Sequence, residues 1–176
     1  MKFTLNTLVV AVTMSLVMAM PLTYAADVTG KSIAATAAMP GVYKVALAKG
    51  VSMDDAVESM KLRANALNLK LVAELPLSSQ VEAMIGGKQR RMAIYQFCDA
   101  LTAKDLVALN IDFAVFLPCR IALIEDKNGQ AWLIMMDMDV KALAKQSKMP
   151  AALEQKVTTV RNDLIEIMNA GANGDL

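Results

Sequence analysis

Side chains able to do covalent or metal chemistry are few in this sequence. Its 176 residues include two cysteines, Cys98 and Cys119, and no histidine. Without an imidazole there is no Ser–His or Cys–His nucleophile pair, no histidine-ligated zinc and no C-x-x-C-H haem attachment. Two cysteines about 20 residues apart read first as a structural disulfide, Cys98–Cys119, which in an exported protein would contribute about 3 kcal/mol. A thiol-redox role is weaker, because the C-x-x-C spacing that tunes such thiols is missing. Met138 offers a third sulfur, and two cysteines with one methionine make a donor set suited to Cu(I). Haem held through sulfur is a further reading that no spacing marks. Gly86-Gly87-Lys88 lacks the G-x-x-x-x-G-K-S/T pattern of a phosphate loop and reads as a helix stop followed by a solvated lysine.

The segments that must position these sulfurs are strands. Residues 90–98 read as one strand ending on Cys98. Residues 119–126 and 130–138 read as a hairpin around Asn128-Gly129, a dipeptide suited to a two-residue turn because both positions tolerate positive φ. That turn pairs Lys127 with Gln130 and then Glu125 with Trp132, Leu123 with Ile134, Ile121 with Met136 and Cys119 with Met138. Arg120 falls opposite Asp137. If 90–98 and 119–126 are antiparallel neighbours, both thiols meet at one end of the sheet. The two surfaces of this hairpin are both largely apolar, whereas a sheet covered on one side alternates apolar with polar. The second surface therefore needs a cover, which a partner chain, an apolar small ligand or another part of the chain would supply, a homodimer first among them.

Around these strands the chain alternates elements. Residues 42–48 read as a first strand with Tyr43, Val45 and Leu47 inward. Ser52 and Asp55 form a capping box for a helix over 53–67, whose Met53, Val57, Met60, Ala64 and Leu67 recur at helical spacing. This methionine stripe reads as core packing, not as a metal site. Residues 69–77 form a second strand, and Ser79 and Glu82 cap a short helix that Gly86-Gly87 stops. Thr102 and Asp105 start another helix, through Asn110. Residues 112–118 approach the hairpin in an extended form. Asp139 caps a short helix, and Pro150 opens a final one carrying Leu153, Val157, Val160, Leu164 and Ile167 in one stripe, closed by Gly171.

The N-terminus has the pattern of an export signal. Lys2 is followed by an apolar run over 8–20, Pro21, and Thr23-Tyr24-Ala25 with small residues suited to cleavage after Ala25. The run is shorter than the ~20 residues of a spanning helix, so no stable membrane span is expected after cleavage. Residues 1–25 are read as the signal peptide, 26–40 as a flexible lead-in and 41–170 as a single domain, in a periplasmic or otherwise extracytoplasmic protein. Of 18 basic and 17 acidic residues only Lys2 lies in the signal, so the mature domain is neutral. A nucleic-acid partner would call for a basic excess.

The stretches GVSMDDAVESMKLRANALNLKLVAELPL, IYQFCDA and FLPCRIALIEDKNG resemble the domain of unknown function 302 (DUF 302) family. The resemblance spans about 41–147 and implies an α+β, TATA-binding-protein-like two-layer domain. In it an antiparallel sheet packs against helices, and the long C-terminal helix stands as an addition. It also implies a tendency to dimerise, but no catalytic residues. The family's asparagine-proline after the first cysteine is Asp99-Ala100 here. The sequence thus predicts an exported, non-catalytic binding or association protein, a homodimer stapled by Cys98–Cys119. Its alternatives are a soft-metal or haem carrier using Cys98, Cys119 and Met138, and a thiol-redox protein.

Overall fold

A computed structural model describes residues 41–175, so the expected signal peptide and lead-in lie outside the described residues. Five strands form one antiparallel sheet: β1 (Val42–Ala46), β2 (Lys70–Leu75), β3 (Met92–Cys98), β4 (Cys119–Glu125) and β5 (Ala131–Met136). Their order across the sheet is β1-β5-β4-β3-β2. The helices are α1 (Met53–Ala66), α2 (Leu77–Ile85), α3 (Ala100–Leu109), α4 (Val140–Ser147) and α5 (Ala151–Asn173), with a 3-10 turn over Ile111–Phe116. This is the α+β architecture expected, in two layers: α1 and α5 pack side by side and cover one face of the sheet.

The covered face follows from alternation along the strands. Val45, Tyr95, Phe97, Ile121, Leu123, Leu133 and Met135 are buried at every second position, and they meet Val57, Met60 and Ala64 of α1 and Leu164, Ile167 and Met168 of α5 in one core. A smaller core gathers Leu106, Phe113, Val140, Ala144, Met149, Leu153 and Val157 between α3, the 3-10 turn, α4 and the start of α5. The capping box at Ser52 and Asp55 is present, with the Ser52 hydroxyl oxygen accepting from the Asp55 N–H. It satisfies amides that the first helical turn otherwise leaves unbonded.

Three local expectations are corrected. Helix α2 starts after Pro76 and has no side-chain cap; Glu82 instead accepts from the backbone of Gln89. Helix α3 is capped by Asp99, which accepts from the amides of Leu101 and Thr102, so it begins two residues ahead of Thr102. Residues 111–116 coil as a 3-10 turn under Asn110, whose side chain accepts from Asp112. Apolarity had suggested an extended segment, but Phe113 needed only one inward direction to enter the smaller core.

The end of α5 is corrected too. Gly171 does not close the helix; it continues to Asn173 and stops at Gly174, in the left-handed region at φ 70°. Gly171 is instead a point of close approach between α5, α1 and β5. A Cβ there would lie 2.6 Å from Met60 Cγ, 3.0 Å from the Ala56 carbonyl oxygen and 3.1 Å from Leu133 Cδ1.

Candidate functional site

The hairpin register sets the site, and it differs by one residue from the two-residue turn. Glu125 pairs with Ala131, Ile124 with Trp132, Leu123 with Leu133, Ala122 with Ile134 and Ile121 with Met135. Three residues, Lys127, Asn128 and Gly129, make the loop, because Asp126 donates its N–H to the Gln130 carbonyl and Gly129 donates to the Asp126 carbonyl. Gly129 sits at φ 81°, as in a turn followed by a one-residue bulge. The Asp126 carboxylate holds the loop by accepting from the amides of Asn128 and Gln130 and from Trp132 Nε1 at 3.0 Å. These bonds, that of Trp132 foremost, lower its pKa.

A one-residue slip turns every side chain of one strand to the other face. Cys119 is therefore not paired with Met138, which lies beyond the ladder, and Arg120 is not paired with Asp137. Asp137 instead binds Arg161 of α5, Nε to Oδ1 at 2.6 Å, with both side chains half-buried. Arg120 is exposed on the face that no described helix covers.

The slip nevertheless leaves the three expected sulfurs around one space. Cys98 at the end of β3, Cys119 at the start of β4 and Met138 just after β5 line an apolar cavity of about 40 Å³ at the end of the sheet. The side chains of Leu106, Phe113, Phe116, Leu143 and Val157 contribute to its walls, as do Asp99 and Arg161. Met149, buried in the smaller core, adds a fourth sulfur-bearing side chain. Sequence reasoning missed it, since its position after α4 carries no periodic or motif signal. A water needs roughly 10–15 Å³ of such space, so the cavity has room for an ion or a few small atoms and is far too small for a porphyrin.

Both cysteines are free thiols. Burial and the neighbouring Cys98 push the Cys119 thiol up to about 11. Burial and the Asp99 carboxylate also raise Cys98. Such thiols are protonated at neutral pH and are poor nucleophiles, since the thiolate is the reactive form. Among the described residues no cluster of three or more histidine, cysteine, aspartate or glutamate side chains could hold a metal ion. Any metal at this cavity would therefore rely on methionine sulfur beside the thiols.

The second feature is the sheet face turned away from α1 and α5. Register builds two apolar rows across it. One runs Leu75, Ile94, Ala122, Ile134 and the other Met92, Ile124, Trp132, Ala46. Lys44 ends the first row with its Nζ 4.2 Å from the centre of the Trp132 ring. Met136 is half exposed beside Val42. A groove of about 480 Å³ runs over Val42, Ile94, Ala122, Ile134 and Met136 towards Phe116. None of the side chains in these rows belongs to either buried core.

An antiparallel sheet with helices on one face and, among the described residues, a largely apolar second face defines a two-layer α+β protein. The chain belongs to the family described as "Domain of unknown function DUF302", whose profile matches residues 43–171. That span takes in most of α5, so the likeness extends past the 41–147 read from motifs. The fold is similar to the crystal structure of an uncharacterized conserved protein DUF302 from Bacillus stearothermophilus. The TM-score is 0.60 at 17% sequence identity, over 76% of this chain and 98% of that one. No curated protein matches the chain. Among the described residues no helix is long and apolar enough to cross a membrane.

Proposed function

We propose that this chain is an exported, non-catalytic association protein that works through the open face of its sheet, as a homodimer. The observation that carries this reading is the pair of apolar rows, Leu75–Ile94–Ala122–Ile134 and Met92–Ile124–Trp132–Ala46, on the face away from α1 and α5. These side chains are half-buried; the apolar surface they leave in water costs about 25 cal/mol per Å², and a second copy meeting it face to face removes that cost from both chains. The high thiol pKa values argue against a nucleophilic role for either cysteine. Export through residues 1–25 would deliver the chain to an oxidising compartment, where a Cys98–Cys119 bridge would tie β3 to β4. Closing it requires the strand ends to shift, because the two thiols start on opposite sides of the sheet.

Sedimentation velocity on the mature chain at micromolar concentration tests the association. The expected result is a dimer that Ile134→Lys converts to a monomer with unchanged far-UV circular dichroism. A wild-type monomer at every concentration sinks the dimer and leaves an apolar small molecule as the occupant of the groove.

A further inference from the structure

We infer that Cys98, Cys119 and Met138 bind one soft monovalent metal ion of the Cu(I) class in the cavity at the end of the sheet. This goes beyond the association reading and uses both thiols in reduced form, so metal binding and the Cys98–Cys119 bridge named above exclude each other, while the dimer is tested separately by sedimentation.

The two cysteines of the chain and two of its methionines, Met138 and Met149, line one small apolar space. They reach it from four places: the end of β3, the start of β4, the residue two past β5 and the residue two past α4. A covalent bridge is not what this arrangement favours. Cys119 is paired with Phe97, so Cys98, the next residue along β3, has the opposite facing. A disulfide needs its sulfurs about 2 Å apart, whereas an ion between two thiolates spans a wider gap, and both side chains line the same cavity. The apolar lining disfavours water, and the space of about 40 Å³ suits a single ion. Thiolate and thioether are the donors that select Cu(I), and the chain has no imidazole to draw a borderline metal.

Binding forms two metal–thiolate bonds and one metal–thioether bond. The two thiol protons leave to solvent, and no electron is transferred. The resulting complex carries one negative charge. Arg161 on the cavity wall is already paired with Asp137.

The test uses the reduced mature chain in oxygen-free buffer, titrated with Cu(I) against a chromogenic Cu(I) chelator. One equivalent should be withheld from the chelator, and X-ray absorption of the wild-type complex should give a first shell of sulfur alone. Replacing Cys98→Ser and Cys119→Ser together should abolish uptake. Met138→Leu, close in volume and so tolerated by the fold, should weaken binding by about 10–100-fold, the range typical of losing a supporting group at a metal site. Failure to withhold copper overturns the proposal. So does a nitrogen or oxygen first shell, uptake that survives the double replacement, or Met138→Leu binding like wild type. The spectroscopic result is read on the wild-type chain and does not depend on any variant folding.

Discussion

Cys119 lies directly across from Phe97 in the β3–β4 ladder, and Phe97 is fully buried against α1 and α5. Cys119 therefore shares the core side of the sheet, while Cys98 faces the other way at the end of β3. The two thiols consequently differ in burial and reactivity, although they border one cavity.

Alkylation of the reduced protein should separate them. With its pKa raised from 9.0 to about 11, folded Cys119 at pH 8 should react about 100-fold more slowly than in denaturant, as the thiolate fraction falls tenfold per unit. Cys98 should label first, and Asp99→Asn should speed it by removing the carboxylate that raises its pKa. Peptide mass spectrometry over time reads both rates. Equal rates for the two cysteines would contradict the assignment.

The loop at Asp126 should respond to acid. Its folded pKa is lowered, first by the Trp132 hydrogen bond. A lowered carboxylate contributes stability that is present above its unfolded pKa and is lost as pH falls through the folded value. Because Trp132 is the only tryptophan, its emission reports the change directly. An acid titration should show a transition below the ordinary carboxylate range, and Asp126→Asn should abolish it. A transition that persists in the variant assigns it to another group.

Gly171→Ala should destabilise the protein by about 1–3 kcal/mol, the usual cost of overpacking. Helix propensity favours alanine by roughly 1 kcal/mol and acts in the opposite direction. Overpacking wins because the new methyl would press on the Ala56 backbone as well as on the Met60 side chain. Thermal denaturation checks this, and an unchanged or higher Tm would mean that α1 and α5 can separate slightly at no cost.

Arg161 and Asp137 tie α5 to the end of β5. Both side chains are half-buried, so the pair sits towards the upper end of the range for surface ion pairs, at about 1 kcal/mol. A double-mutant cycle with Arg161→Gln and Asp137→Asn, read by urea unfolding, should return a coupling of about 0.5–1.5 kcal/mol. A coupling near zero would leave Arg161 as a packing residue only.

By itself the sequence determined the order of strands and main helices along the chain, the capping box at Ser52 and Asp55, the place of the hairpin and the two-sided apolar character of its strands. These follow from local spacing and from side-chain chemistry within a few residues. The hairpin register did not follow, because Asn128-Gly129 suits a two-residue turn equally well. The choice fell to Asp126, whose carboxylate collects the amides of Asn128 and Gln130 and the ring N–H of Trp132 on the returning strand. Likewise, Gly171 has the sequence of a helix stop, and only the approach of α1 makes it a packing contact. The sulfur-lined cavity depended on tertiary structure in the same way. Cys98 and Cys119 were visible as a pair at one sheet end. Met138 reached them by a route other than the expected pairing, and Met149 was brought in by the turn from α4 into α5. Local periodicity specifies which side of an element is apolar, but the residues that share one cavity are decided by how separate elements pack.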